Sequence, residues 1–358
     1  MALNPLPDPI AAAFAQQARA CDALGSPFTA SICHIIAARG LPKGDTQARI
    51  AAWQGDPHGT GTAVALRLTG ALHNLVLTQV ADKLKTVYPP HQPSDTELET
   101  AIFDAIERHD EAICAFLDSP PQTNETGRSA ALLPALLLLA KRHNLPMNLL
   151  ELGASAGLNQ NLARFHYDYA DWQWGDAGSP LNLKCEWRGA RYPHPEEKLQ
   201  IASSAGCDIA PVAIETNEDQ LHLMSYVWAD QTERTRRIKA ALQLAKLDPP
   251  IVEKSGAADW LAAKLKEPQP VGNWRVIFHT IMWQYMPAEE QQRAKSLIQQ
   301  AGTRASAKSP MGWVRLEADG ERGSAGLYST IWDGSSQDGK DQLLARGDFH
   351  GRWIEWLN

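Results

Sequence analysis

The chain has little with which to staple or anchor itself. Its five cysteines, Cys21, Cys33, Cys114, Cys185 and Cys207, are odd in number, widely spaced and free of any CxxC pair. That argues against a disulfide framework and a cysteine-based zinc site, and points to a reducing compartment. The eleven histidines show no HxxxH or HExxH spacing, so no metal is expected. Long apolar runs are also missing: the longest, Ala130 to Ala140, is too short to span a bilayer and contains Pro134. Met1 to Ala20 lacks the basic and apolar regions of a signal peptide, and the reading is a cytoplasmic protein with no membrane partner. Excess positive charge is absent as well. With 34 Lys+Arg against 41 Asp+Glu, the net charge of -7 gives no general attraction to phosphate backbones, so nucleic acid is a poor partner.

What is present is an ordinary globular composition, 44% hydrophobic over 358 residues, long enough for two regions with a sizeable core. The twelve tryptophans divide it unevenly: Trp53 stands alone before Trp172, and the rest run from Trp172 to Trp356. From Asp8 to Asn144 apolar residues recur at helical spacing, as in Leu68, Leu72, Leu75 and Val76. Ser94 and Glu97 form a capping-box signal for a helix to about Leu117. Ser129 to His143 reads as an apolar helix with Pro134 in its first turn. The pattern changes after Pro146. Met147 to Leu152 is a short apolar run ending in a glycine-rich turn, with a helix expected from Leu158 to Phe165. Further strands are expected at Pro250–Val252, Trp274–His279 and Gly312–Glu317, succeeded by a meander through Leu327–Asp333, Leu343–Gly347 and Trp353–Leu357. Leu181, Leu183, Cys185 and Trp187 alternate with polar residues, which predicts a half-exposed insertion hairpin lying outside the sheet.

The turn Glu151-Leu-Gly153-Ala-Ser155-Ala-Gly157 carries the most chemistry. Glycines permit positive φ and close backbone approach, and the amides opening the next helix can face a ligand. Glu151, at the strand's carboxyl end, can accept hydrogen bonds from a ribose or an amine, and ligands of open α/β sheets bind at that edge. The same residues also fit G-x-S-x-G, the nucleophile elbow of α/β-hydrolases, with Ser155 as nucleophile and Asp319 or Asp333 with His350 as nominal partners. A hydrolase needs several strands before its elbow, whereas the segment upstream reads as helical. The turn can also simply pack a helix on a sheet.

Glu151-x-Gly153-x-x-x-Gly157 resembles motif I of class I S-adenosylmethionine-dependent methyltransferases. Gly256-Ala-Ala-Asp259 is similar to their segment near the adenine, and Val276-Ile-Phe-His279-Thr-Ile-Met-Trp283 resembles their fourth strand with its post-strand segment. A narrower resemblance covers nearly the whole chain. Gln122-Thr-Asn124-Glu125-Thr-Gly127-Arg128, Glu151 to Asn159, Cys185 to Gly189 and His350 to Trp353 look like an uncharacterised bacterial family of unknown function.

The resemblance implies an α/β fold with a Rossmann-like sheet over residues 128–358, an insertion at about 160–198, and an all-helical domain over 1–127 that helps enclose the site and selects the substrate. It implies S-adenosylmethionine as cofactor, held by Glu151, Gly153, Ser155, Gly157, Asn159, Asp208 and Asp259. Asp208 would be the ribose acid, with Glu186 as its rival. No Asn-Pro-Pro-Tyr-type motif comes after the fourth strand, so the acceptor, taken to be a small molecule, is left open.

Several side chains have two uses. Gln122, Asn124, Glu125 and Arg128 can clamp a zwitterionic ligand, or simply cap and pair at a helix start. His279, at the end of its strand, can remove a proton from an acceptor or be bonded within the core. Tyr167 can line a pocket or cover the core. His350 reads as a turn residue. Asp230 and Glu233 are spaced as a capping box before a helix with an exposed basic face. Alongside the methyltransferase stand a Ser155 esterase and a catalytically silent ligand-binding module.

Overall fold

The computed structural model describes residues 3–59 and 61–357. The chain separates into two compact units, one of Met1–Thr123 with Val212–Arg236 and the other of Asn124–Pro211 with Arg237–Asn358. The helical unit thus takes a segment that the sequence placed with the sheet.

In the helical unit, Asp8–Ala23, Pro27–Arg39, Val64–Leu77 and Asp95–Arg108 are the principal helices of the first segment. Their apolar stripes meet in one core that includes Phe14, Ile36, Leu68, Leu72 and Ile102. The Ser94–Glu97 capping box forms as its spacing predicts. The helix it opens ends at Arg108, however, and a short helix over Asp110–Phe116 comes next. A pair of two-residue strands, Leu3–Asn4 and Leu41–Pro42, joins an otherwise helical layout. The returning segment brings the helix Asn217–Ser225, opened by a Thr216–Asp219 capping box. It also brings Asp230, which accepts from Ser26 Oγ at 2.5 Å and from the Phe28 amide at 3.0 Å. Asp230 therefore caps the Pro27–Arg39 helix rather than its own.

The second unit is built on nine strands: β1 Met147–Leu152, β2 Glu186–Gly189, β3 Ile201–Asp208, β4 Val252–Lys254, β5 Trp274–Thr280, β6 Met311–Glu317, β7 Ala325–Trp332, β8 Asp341–Gly347 and β9 Trp353–Trp356. They lie in the order β2-β9-β8-β7-β6-β5-β1-β3-β4. From β4 to β6 neighbouring strands are parallel, and β7, β8 and β9 continue as the antiparallel meander. The chain runs from β1 outward to β3 and β4, then crosses to β5 and β6 on the other side. The order reverses between β1 and β5, the kind of place at whose carboxyl edge open α/β sheets bind ligands.

Burial follows from this arrangement. β5 is buried over Trp274–His279, as a strand covered on both faces must be. The helix Ser129–Arg142 contributes Leu132, Leu133, Leu136 and Leu137 to the interior. Ile277 and Trp313 pack with Trp260, Leu261 and Ile298 from the helices Ala257–Lys264 and Ala288–Gly302. Pro134 falls inside its helix rather than in the first turn. A proline there removes the bond that the carbonyl four residues earlier would accept. Tyr169 repairs this by donating its hydroxyl to the Ala130 carbonyl at 2.6 Å.

The insertion divides instead of standing apart. His166–Asp168, Gln173–Trp174 and Asn182–Lys184 make a small separate sheet, but β2 returns to the large one and pairs in parallel with β9. Leu158–Arg164 winds as a 3₁₀ helix. No helix among the described residues is long and apolar enough to cross a membrane.

Candidate functional site

The turn after β1 requires its glycines. Gly153 has φ +65°, and a Cβ placed there would lie 2.8 Å from Met282 Cβ. Gly157 has φ +73°, with Pro250 and Val252 side chains equally close. Ser155, between them, also has positive φ, at 55°. A non-glycine residue in that region costs on the order of 1–2 kcal/mol, so the surroundings must hold it. Asp208, at the end of β3, does so by accepting the Ser155 amide at 2.8 Å, while its other oxygen accepts the Ala210 amide at 2.8 Å.

Within this frame two buried polar atoms lack a hydrogen-bond partner. Glu151 is only 4% exposed, yet its Oε2 has no hydrogen-bond partner. Burial pushes its carboxyl up to about 8, the nearby Asp208 charge acts in the same direction, and hydrogen bonding from Asn159 and Gln160 opposes the rise. The Ser155 hydroxyl is also buried without a partner. Unsatisfied atoms of this kind are uncommon in folded proteins, and a ligand is one group that can complete their bonding.

The segment from Asn124 is fastened to the far side of the turn. Asn124 Oδ1 accepts the Leu158 amide at 2.8 Å, and Ser129 Oγ donates to Asn159 Oδ1 at 2.7 Å. Glu125 Oε1 accepts the Gly127 amide at 3.0 Å and pairs with Arg237 Nη2 at 3.2 Å. Arg128 donates to the carbonyls of Phe349 at 2.8 Å and Thr280 at 3.3 Å, which commits it to bracing the backbone. Gly127 and Gly351 pass so closely that a Cβ on either would strike the other's backbone or that of His350. His350 sits in that turn, its amide held by Asp348 at 2.9 Å. The Glu186 amide in turn donates to the Arg352 carbonyl at 2.9 Å. Four sequence segments far apart along the chain thus form one continuous chain of contacts.

His279 takes a fixed place. Its side chain is fully buried, Nδ1 lies 2.7 Å from Glu317 Oε1, and Nε2 lies 3.0 Å from Trp313 Nε1. An indole nitrogen only donates, so Nε2 accepts and Nδ1 carries the proton toward the carboxylate. The ring stacks on Trp283 with centroids 4.9 Å apart. Glu317 accepts the Met282 and Trp283 amides as well, at 3.1–3.3 Å. A proton-removal role for His279 requires one of its two bonds to open; as folded, the ring positions the Met282 loop against Gly153.

Three other sequence candidates make no hydrogen bond to the turn's glycines, Ser155 or Glu151. Asp259 is exposed and pairs with Arg293 at 2.5 Å. Tyr167 is fully buried, its hydroxyl donating to the Leu162 carbonyl at 2.8 Å. Glu186 is exposed on β2, the strand at the opposite end of the sheet from β4, and pairs with Arg188 on its own strand. Of the two rival acids, Asp208 is the one at the turn. Sequence reasoning missed Glu317 and Arg237. An acidic residue ending an apolar strand signalled the first, while Arg237 was hidden in a run of basic residues.

The fold and this edge define an α/β protein whose glycine turn, with a buried acid beside it, lies at the reversal of a parallel sheet. The chain belongs to the family described as "Uncharacterized protein conserved in bacteria (DUF2332)", whose model matches residues 11–356. No curated protein matches it.

Proposed function

We propose that this chain is an S-adenosylmethionine-dependent methyltransferase acting on a small-molecule acceptor. The observation that carries the reading is the unpartnered carboxyl oxygen of buried Glu151 beside the glycine turn, on the strand next to which the order of the parallel strands reverses. The β4-β3-β1-β5-β6 arrangement suits a Rossmann-like fold of the class I methyltransferase type.

The residues fit the cofactor in part. Glu151 offers an acceptor to a ribose or an amine, the Ser155 hydroxyl a second polar contact, and Gly153 and Gly157 a close backbone approach. Asn159 supports Glu151, while Asp208, already bonded to the turn, fixes its shape. Asp259, assigned by resemblance to the adenine end, is exposed and paired with Arg293, a pair that must open for it to meet the cofactor. When bound, S-adenosylmethionine supplies an electrophilic methyl group. The chain's own part is to bind, orient and exclude water, which accounts for most of the rate in such a transfer and needs few reactive side chains.

Calorimetry with S-adenosylmethionine and S-adenosylhomocysteine tests the reading: saturable heat and a raised melting temperature are expected. Neither signal at near-millimolar ligand would sink it. The positive φ of Ser155 favours a second reading, because the elbow nucleophile of a hydrolase occupies such a strained turn. That reading lacks a histidine bonded to Ser155 Oγ, which has no partner. It predicts esterase turnover that vanishes in Ser155→Ala and on treatment with a serine-reactive phosphonate. The engaged ring of His279 favours a third, a silent ligand-binding module, which predicts bound cofactor without methyl transfer to any acceptor tested.

A further inference from the structure

On the helix Thr232–Leu247, Arg237 differs from its neighbour Arg236. Arg236 next to it pairs with Glu233, and both of those side chains are more than half exposed. The Arg237 side chain is 13% exposed and turned inward, to Glu125, whose own side chain is 4% exposed. One Nη of the guanidinium serves that bond. Its Nε is buried and has no partner, and the same holds for the hydroxyl of Thr126, the residue next to Glu125. A guanidinium carries five N–H donors in a flat fork, and the edge made by Nε and a terminal nitrogen matches two oxygens of a carboxylate or phosphate. The Glu125 contact holds the fork in place while leaving the Nε donor unused. Through Asn124, which accepts the Leu158 amide, this pair is joined to the turn that carries Ser155 and lies beside Glu151.

We propose that Arg237, positioned by Glu125, receives an anionic oxygen group, a carboxylate or a phosphate, of a ligand bound at the glycine turn. Arg128, the cation that the sequence offered for a zwitterion clamp, is occupied with backbone carbonyls, and Arg237 takes that place. Arg237 then offers a positive charge to the anionic group of such a ligand, and Glu151 a carboxyl that can hydrogen-bond to another part of it. The inference rests on the turn being a ligand site and not on the ligand being S-adenosylmethionine. The anion can come from the amino-acid end of the cofactor or from the acceptor.

The test tracks the Nε–H resonance of Arg237 by nitrogen–proton NMR of the full chain, assigned as the signal lost in Arg237→Lys. The probes are S-adenosylhomocysteine, 5′-methylthioadenosine, L-methionine and inorganic phosphate. A shift with S-adenosylhomocysteine but not with methylthioadenosine, which lacks the amino acid, would assign the anion to the cofactor. In that case Arg237→Gln weakens S-adenosylhomocysteine roughly tenfold or more and leaves methylthioadenosine unchanged. A shift with phosphate or methionine but not with S-adenosylhomocysteine would assign it to the acceptor. If no probe moves the resonance and Arg237→Gln, melting like the parent, binds every probe as the parent does, the proposal is overturned. Calorimetric binding of S-adenosylhomocysteine in that situation would leave the cofactor reading standing. A phosphate shift without any binding of S-adenosylhomocysteine would instead remove that reading and keep the anion site.

Discussion

Each unit holds an ionisable group whose surroundings favour its neutral form, and the two groups pull in opposite directions with pH. In the helical unit, burial draws the His73 imidazole down from 6.5 to about 4, against backbone hydrogen bonds that include the Ser225 carbonyl at 3.2 Å. In the sheet unit, burial pushes the Glu151 carboxyl up from 4.5 to about 8. His73 has a bonded nitrogen and stacks against Tyr88. Glu151 has an oxygen with no partner, as have Ser155, Thr126 and Arg237 an unbonded polar atom each. The helical unit holds its half-buried histidine in finished contacts, and the sheet unit leaves several buried polar atoms without partners. A folded chain tolerates such loose ends where something other than the fold uses them.

The largest effect comes from the pH windows. Between 4.5 and about 8 folded Glu151 keeps a proton that the unfolded chain has released, so stability falls as pH rises through that window. At about 1.4 kcal/mol per pKa unit the penalty reaches several kcal/mol. Glu151→Gln should abolish this slope, raise the melting temperature of the ligand-free chain at pH 8, and weaken ligand binding, all readable by scanning and titration calorimetry. For His73 the unfolded chain binds the extra proton, so stability falls as pH drops from 6.5 to about 4. His73→Phe should flatten that acid slope alone. Equal slopes in both variants would erase the contrast between the units.

Gly153→Ala comes next. The φ of +65° and the Met282 contact predict a loss of about 2 kcal/mol, measured in denaturant, together with weaker ligand binding, because the turn itself must shift. Asp230→Ala removes the cap on the Pro27–Arg39 helix and should cost about 1–2 kcal/mol while leaving ligand affinity unchanged. Glu186→Gln removes only an exposed pair within one strand, and neither melting temperature nor affinity should move. An affinity loss there would restore Glu186 as the ribose acid in place of Asp208.

The repeating units of the fold were legible because periodicity reports burial directly. Trp274–His279 and Gly312–Glu317 are mainly apolar runs and became central strands, and the Ser94–Glu97 box marked a helix start to the residue. What escaped depends on distant partners. Nothing local tells that β2 pairs with β9, that Tyr169 mends the break at Pro134, or that Asp230 caps a helix some two hundred residues earlier. The same division runs through the site. Glu151, Gly153, Ser155, Gly157 and Asn159 were readable as one turn, and Asp208 reached it across a long insertion. Asp259 had the spacing of a site residue, yet it lies on an exposed helical turn beside Arg293. Arg237 had the look of a solvated helix residue, and Glu125, 112 residues earlier in the chain, distinguishes it from Arg236.

Amide hydrogen exchange on the full chain, with and without saturating S-adenosylhomocysteine, asks in one experiment whether the glycine turn of the sheet unit, and not the helical unit, receives the ligand. Added protection is expected over Glu151–Asn159 and at the Asp208 turn, with the Val64–Leu77 helix unchanged. Protection confined to the helical unit, or none in either unit at saturating ligand, would contradict a ligand site at the turn.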